Sequence, residues 1–259
     1  MSIIAIANQK GGCGKTTTAI NLSAYLASRG MKTLLVDLDP QGHATLGLGV
    51  RPDRLEKTIY DVLTARTNLS GVILQTPVSG LDLAPSNILL SGADIDLVNV
   101  IGRENVLRDY LLPLTASYEY IIIDCSPSLS ILTVNALTAA DSVLIPIQTH
   151  YYAMEGMKQL FSTIDLVKKR LNQHLSILGI LPTLYDSRTN IAKEVLEGIR
   201  SFFKEKVFQT VIHVNTRLTE APSAGEAIIT YDPKSTGARD YSQLAEEVLL
   251  LEQKKVGII

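Results

Sequence analysis

The chain has 259 residues, 46% of them hydrophobic and 19% charged, enough apolar material for one well-cored α/β domain. A formal net charge of −2 excludes a surface that is basic throughout, so any contact with nucleic acid must come from a local patch. No apolar run reaches the ~18–20 residues that cross a bilayer and no secretory leader precedes the first strand. Cys13 and Cys125, without C-x-x-C spacing, fit neither a metal site nor a disulfide framework, which points to a reduced cytoplasm.

In chain order, an apolar run predicts a buried strand over 3–8, followed by a glycine-rich turn. A helical pattern follows with Ala19, Leu22 and Leu26 on one face and Gly30 as its stop. Further strands are predicted over 32–37, 81–85, 119–124, 142–147, 177–184 and 207–212. The runs Leu34-Leu35-Val36, Tyr120-Ile121-Ile122-Ile123 and Val143-Leu144-Ile145 are apolar on consecutive residues, as parallel strands covered on both faces should be. Segment 41–58 is glycine-rich and weakly periodic and reads as a mobile loop. Over 238–253, Tyr241, Leu244, Val248 and Leu251 recur at helical spacing and predict a packed C-terminal helix. Alternating β and α elements imply a single-domain, doubly wound α/β fold spanning 1–259. Its sheet would be twisted, mostly parallel and flanked by helices, with ligands at the carboxyl ends of the strands.

Residues 8–18 read N-Q-K-G-G-C-G-K-T-T-T. Strand, glycine-rich turn, Lys-Thr, helix is the order that holds a nucleoside triphosphate. Backbone N–H groups along Gly11, Gly12, Cys13 and Gly14 can close around phosphates, and Lys15 brings positive charge to the β/γ oxygens. Thr16 offers a hydroxyl to Mg²⁺, Thr17 continues the run, and the helix dipole points at the same anion. The general phosphate-loop pattern needs glycine at position 9, where this chain has Gln9, and a second lysine, Lys10, stands just ahead of the glycines. A lysine there reads either as extra charge for a transition state or as a solvated surface lysine.

Asp37 and Asp39 close the second strand, and Asp124 closes the strand that begins at Tyr120. A carboxylate ending a buried apolar strand is costly unless paired, hydrogen-bonded or near a metal. Asp124 therefore reads as the acid holding a water ligand of Mg²⁺. A helix cap or Asx-turn would account for one such aspartate, but three at strand ends beside a phosphate loop favour a site.

The sequences K-G-G-C-G-K-T-T, D-L-D-P-Q-G and I-I-D-C-S-P resemble the deviant Walker A ATPases of the ParA/MinD family, in particular the short Soj-like partition ATPases. Tyr151–Gly156, Tyr185–Asn190 and Asn215–Pro222 resemble further family signatures, so the likeness runs from residue 2 to about residue 250. The resemblance implies ATP and Mg²⁺ as cofactors, with Asp39 positioning the attacking water, Asp124 linked to the metal and Asp37 supporting the magnesium shell. It implies that Lys10 reaches across an ATP-bound homodimer to the partner's nucleotide. Adenine would be held by Val211–Asn215, where relatives carry Pro-x-Asn and this chain has His213-Val214-Asn215. His43 stands where many relatives carry asparagine and is expected to stay clear of the chemistry. Arg188 and Arg217 match positions that bind DNA without sequence preference, with Lys204, Lys206, Lys234 and Arg239 as additions; two residues ahead of the first strand leave no room for a DNA-reading domain. A ParB-like protein would stimulate an otherwise slow ATPase, and the protein would be cytoplasmic and nucleoid-associated, without stable membrane association. The rival within the family is a MinD-like membrane-cycling ATPase, which needs a basic amphipathic C-terminal helix. Iron–sulfur carriers need ligating cysteines that Cys13 and Cys125 do not supply.

Overall fold

The computed structural model describes residues 1–150 and 157–255. Seven strands, β1 (Ser2–Ile6), β2 (Thr33–Leu38), β3 (Leu74–Gln75), β4 (Leu81–Ala84), β5 (Tyr120–Cys125), β6 (Ser142–Gln148) and β7 (Ser176–Thr183), form one sheet in the order β3-β4-β2-β5-β1-β6-β7. All pairs are parallel except β3 with β4.

The consecutive apolar residues do what their pattern requires. Along β1, Ile3 and Ala5 enter one core and Ile4 and Ile6 the other, so the whole strand is buried. The first core is closed by helices Ile131–Ala139 and Met157–Arg170, through Leu132, Ala136, Leu160 and Ile164. The second is closed by helices Lys15–Ser28 and Thr236–Lys255, through Leu22, Leu26, Tyr241, Leu244 and Val248. The predicted C-terminal helix is present, and the first helix stops at Arg29 before Gly30 turns the chain at φ 83°.

Two expectations are corrected and one element is added. Segment 41–58 is not a loop throughout: it forms a short helix, His43–Gly47, and one 3₁₀ turn, Pro52–Arg54, entered through Gly42 in the left-handed region. Residues 207–212 are not a strand but make one isolated bridge, Val207 with Ile180, followed by another at His213; Phe208 N–H reaches Ile180 O and Ile212 N–H reaches Pro182 O, and Pro182 has no N–H to return a bond. The antiparallel pair Leu74–Gln75 was not foreseen, two residues being too short to show alternation. The Tyr151–Gly156 signature lies outside the described residues.

Candidate functional site

The phosphate-loop segment lies between β1 and the helix Lys15–Ser28, at the carboxyl edge of the sheet, with β1 between β5 and β6. Its shape is fixed from behind. Asn8 Nδ2 donates to Pro146 O (2.6 Å) while its Oδ1 accepts from Lys10 N–H (3.0 Å). Gln148 Nε2 donates to Gly12 O (2.7 Å) and Thr183 Oγ1 to Cys13 O (2.9 Å). Gly12 and Gly14 sit at φ 69° and 87°, backbone that glycine adopts without strain. With those carbonyls tied back, the N–H groups of Gly11, Gly12, Cys13 and Gly14 have no partner among the described residues. A row of unpaired N–H groups at a helix N-terminus is an anion cradle.

Lys15 is buried, and its ammonium donates to Lys10 O (3.1 Å). Lys10 and Gly11 are exposed. Cys13 contributes backbone only: burial raises its thiol pKa, against the opposing charge of Lys15.

The carboxylates divide by environment. Asp37 and Asp124 are cross-strand neighbours on β2 and β5, and both are fully buried. Asp37 is satisfied within the protein: Oδ1 accepts from Asp39 N–H (3.2 Å), and Oδ2 accepts from the N–H (2.8 Å) and hydroxyl (2.7 Å) of Thr45. Burial pushes Asp37 up to about 6, although the Thr45 bonds pull the other way. Among the described residues neither oxygen of Asp124 has a partner at full hydrogen-bonding geometry; burial, then the adjacent Asp37 charge, raises its pKa well above the ordinary carboxylate value, against the pull of the nearby Thr16 hydroxyl. Asp124, buried with no fully bonded oxygen and with the Thr16 hydroxyl nearby, is an oxygen donor suited to a hard cation such as magnesium, whereas the oxygens of Asp37 are taken up by Asp39 and Thr45. Asp39 lies just past the end of β2; its Oδ1 accepts from Gln41 N–H (2.9 Å), and Oδ2 has no partner among the described residues.

Beside the loop opens a cleft of about 540 Å³. Gly14, Thr16 and Thr17 of the loop and first helix line it together with Ile212, His213, Asn215 and Leu218. Asn215 Oδ1 caps the helix Thr216–Ala224 by accepting from Arg217 N–H (2.9 Å), which leaves its Nδ2 for a ligand. His213 is held by Asp240 Oδ2, which accepts from its backbone N–H (2.9 Å) and lies 3.0 Å from its Nδ1. His43 also lines the cleft. Gln148 and Thr183 escaped the sequence reading; polar residues closing the apolar runs of β6 and β7 at the ligand-facing edge were the available signal.

Arg188 and Arg217 lie away from the cleft lining, and neither is a free cation. Arg188 is paired with Asp186 (2.8 Å), whose carboxyl the guanidinium pulls down to about 2. Arg217 pairs with Glu220 (2.8 Å) and Asp232 (3.3 Å).

Comparison with known proteins agrees with this geometry. The family model described as "AAA domain" matches residues 1–177. The sporulation initiation inhibitor protein Soj of Bacillus subtilis is 52% identical over 246 residues, covering 95% of this chain and 97% of Soj. The chromosome partitioning protein ParA of Myxococcus xanthus is also 52% identical, covering 98% of this chain and 89% of ParA. A Mycobacterium smegmatis structure titled cobyrinic acid a,c-diamide synthase, solved with an ATP analogue and magnesium, superposes at TM-score 0.87 with 38% identity, covering 99% of this chain and 97% of that one. The septum site-determining protein MinD of Pyrococcus horikoshii, complexed with Mg-ADP, superposes at TM-score 0.77 with 27% identity, covering 95% of each chain. The chain belongs to the ParA/Soj family of chromosome-partitioning ATPases.

Proposed function

We propose that this chain is a single-domain, ATP-driven dimerising switch that binds nucleoid DNA without sequence preference and moves a chromosome or plasmid with a ParB-like partner. The observation that carries the reading is the pairing of a tied-back phosphate loop with the orphaned Asp124 carboxylate. The loop N–H groups and Lys15 hold the triphosphate, and His213 and Asn215 flank the base. Thr16 and Asp124 would hold Mg²⁺, which supplies charge neutralisation at the β/γ oxygens; Asp37 supports Asp124 from the neighbouring strand. Asp39 orients water with its free Oδ2. No side-chain base is required, because phosphoryl transfer is mostly positioning and charge stabilisation.

Exposed Lys10 and Gly11 support a face-to-face dimer in which each Lys10 completes the partner's site. Joining two protomers brings the Arg188 and Arg217 patches together, so that weak phosphate contacts add. Turnover is slow alone and stimulated by the partner, so that hydrolysis times release from the nucleoid. In the membrane-cycling alternative the tail 249–259 would dock on lipid; Tyr241, Leu244, Ala245 and Val248 of the C-terminal helix are buried in the core, Leu250 is exposed, and residues 256–259 lie outside the described residues. The test is size-exclusion chromatography with ATP or ADP, paired with pelleting on anionic liposomes. A dimer with ATP only and no pelleting is the expected result; ATP-dependent pelleting would favour the membrane reading.

A further inference from the structure

Between Ile88 and Ile101, six large apolar side chains stand exposed: Ile88, Leu89, Ile95, Val98, Val100 and Ile101, with Ile95 at 77% and Ile101 at 102%. Scattered exposed apolar residues are ordinary, but six within fourteen consecutive residues concentrate apolar surface in one segment of the fold, and concentrated exposed apolar surface marks interaction sites. Residues 87–102 contain Asp94 and Asp96 and no lysine or arginine. Among the described residues, Asp94 is exposed and makes no ion pair, while Asp96 accepts from the Tyr60 hydroxyl (2.7 Å), to which Arg66 also donates (3.4 Å), so the unpaired negative charge of the strip is that of Asp94. The first cation beyond, Arg103, is turned onto Val98 O and Glu104.

The strip begins next to the hydrolytic site. A groove of about 540 Å³ runs between Ile88 and Leu89 on one side and Pro40 and Gln41 on the other, with Pro52 and Leu55 along it. Pro40 and Gln41 directly follow Asp39. Behind the groove, Ser86 Oγ donates to Asp39 O (2.8 Å), and Ser86 N–H donates to Thr45 Oγ1 (2.9 Å), which itself donates to Asp37 Oδ2 (2.7 Å). Ser86, Thr45 and Asp37 are fully buried. A buried, fully satisfied hydroxyl chain holds one geometry, so displacement at its end is felt along it.

From the strip and this chain we infer that the surface Ile88–Ile101 is the docking site for a basic, amphipathic segment of a partner protein, and that its occupancy reaches Asp39 through the Pro40–Gln41 groove and Ser86. The charge decides the occupant. Asp94 and Asp96 repel DNA and anionic lipid alike, and a second copy on a two-fold axis would set the same acids against each other. A segment with apolar anchors and lysine or arginine between them satisfies both the strip and its acids. The inference rests on the partner-stimulated reading proposed above and gives that stimulation a place on this chain.

The test compares the full-length chain with I95S/I101S, D94K and S86A. Each is assayed for ATP turnover alone, for turnover with the full-length ParB-like protein, and for ATP-dependent dimerisation by light scattering. Serine at exposed positions 95 and 101 and lysine at exposed 94 leave folding, basal turnover and dimerisation at wild-type levels. Half-maximal stimulation should need at least tenfold more partner with I95S/I101S and with D94K, and the D94K defect should shrink as salt is raised. S86A should retain the concentration dependence but reach a lower maximum. Wild-type stimulation of both surface variants overturns the docking site, and loss of dimerisation in I95S/I101S assigns the strip to a second copy instead. Full stimulation of S86A overturns transmission through Ser86. If the wild-type chain itself is not stimulated, the partner reading fails and takes this inference with it.

Discussion

Replacing Gly11 by valine separates the protomer from the proposed dimer. Gly11 is exposed and outside the left-handed region, and a Cβ built on it meets nothing within 4 Å. Gly11→Val should therefore fold normally, with stability changed by no more than about 0.5 kcal/mol. Its neighbours provide the control: Gly12 and Gly14 lie at φ 69° and 87°, where alanine costs about 1–2 kcal/mol. For a chain of this size that is a fall of roughly 2–8 °C in Tm. In a face-to-face dimer each added isopropyl group must be accommodated against the other chain. Overpacking costs about 1–3 kcal/mol per site, so two symmetry-related sites weaken the dimer by about 2–6 kcal/mol, or roughly 30-fold to 10⁴-fold. Light scattering with ATP reads the dimer, fluorescent-nucleotide titration the site, and thermal melting the fold. Gly11→Val should melt as wild type and bind ATP, yet stay monomeric at micromolar concentration. Normal ATP-dependent dimers would refute close approach at this loop.

Lys15→Ala should lose nucleotide binding, because the cation buried in the loop is removed, whereas Asp39→Ala should bind ATP and accumulate the dimer; an Asp39→Ala protein with normal hydrolysis would sink that assignment. The raised carboxyls of Asp37 and Asp124 make stability pH-dependent: each holds its proton more tightly folded than unfolded, so the nucleotide-free chain loses stability as pH rises from about 4 through 6 and beyond. Melting curves between pH 5 and 8 should show that fall, and Mg-ADP should reverse it at the alkaline end; a flat profile would contradict the paired buried acids. Asp186→Asn should strengthen DNA retention by freeing Arg188, and Arg217→Glu should abolish it with dimerisation intact; gel shifts alongside light scattering check both.

Much of this was legible in the sequence because the relevant signals are local. Buried parallel strands announce themselves as consecutive apolar residues, and the loop's glycines, lysine and threonines are contiguous. Asp124 was readable because burying an acid at the end of such a strand is costly without a cation or donor to meet it. What escaped depends on contacts between distant segments. Gln148 and Thr183 matter because β6 and β7 bring them behind the loop, and Ser86 because β4 lies beside β2. The residues over 207–212 misled because Phe208 buries its ring against Gly179, giving a strand-like apolar pattern without a ladder. The helix His43–Gly47 was hidden by the glycines at both ends.

ATP is expected to convert a chain of net charge −2 into a DNA-binding dimer. The decisive assay is a mobility shift on two unrelated duplexes, with ATP, with ADP and without nucleotide. Retention should occur with ATP alone, be equal on both sequences, and weaken with salt at a log–log slope of about −0.9 per phosphate neutralised. Equal binding in all three nucleotide states, or strong preference for one duplex, would contradict the switch and leave a plain DNA-binding module in its place.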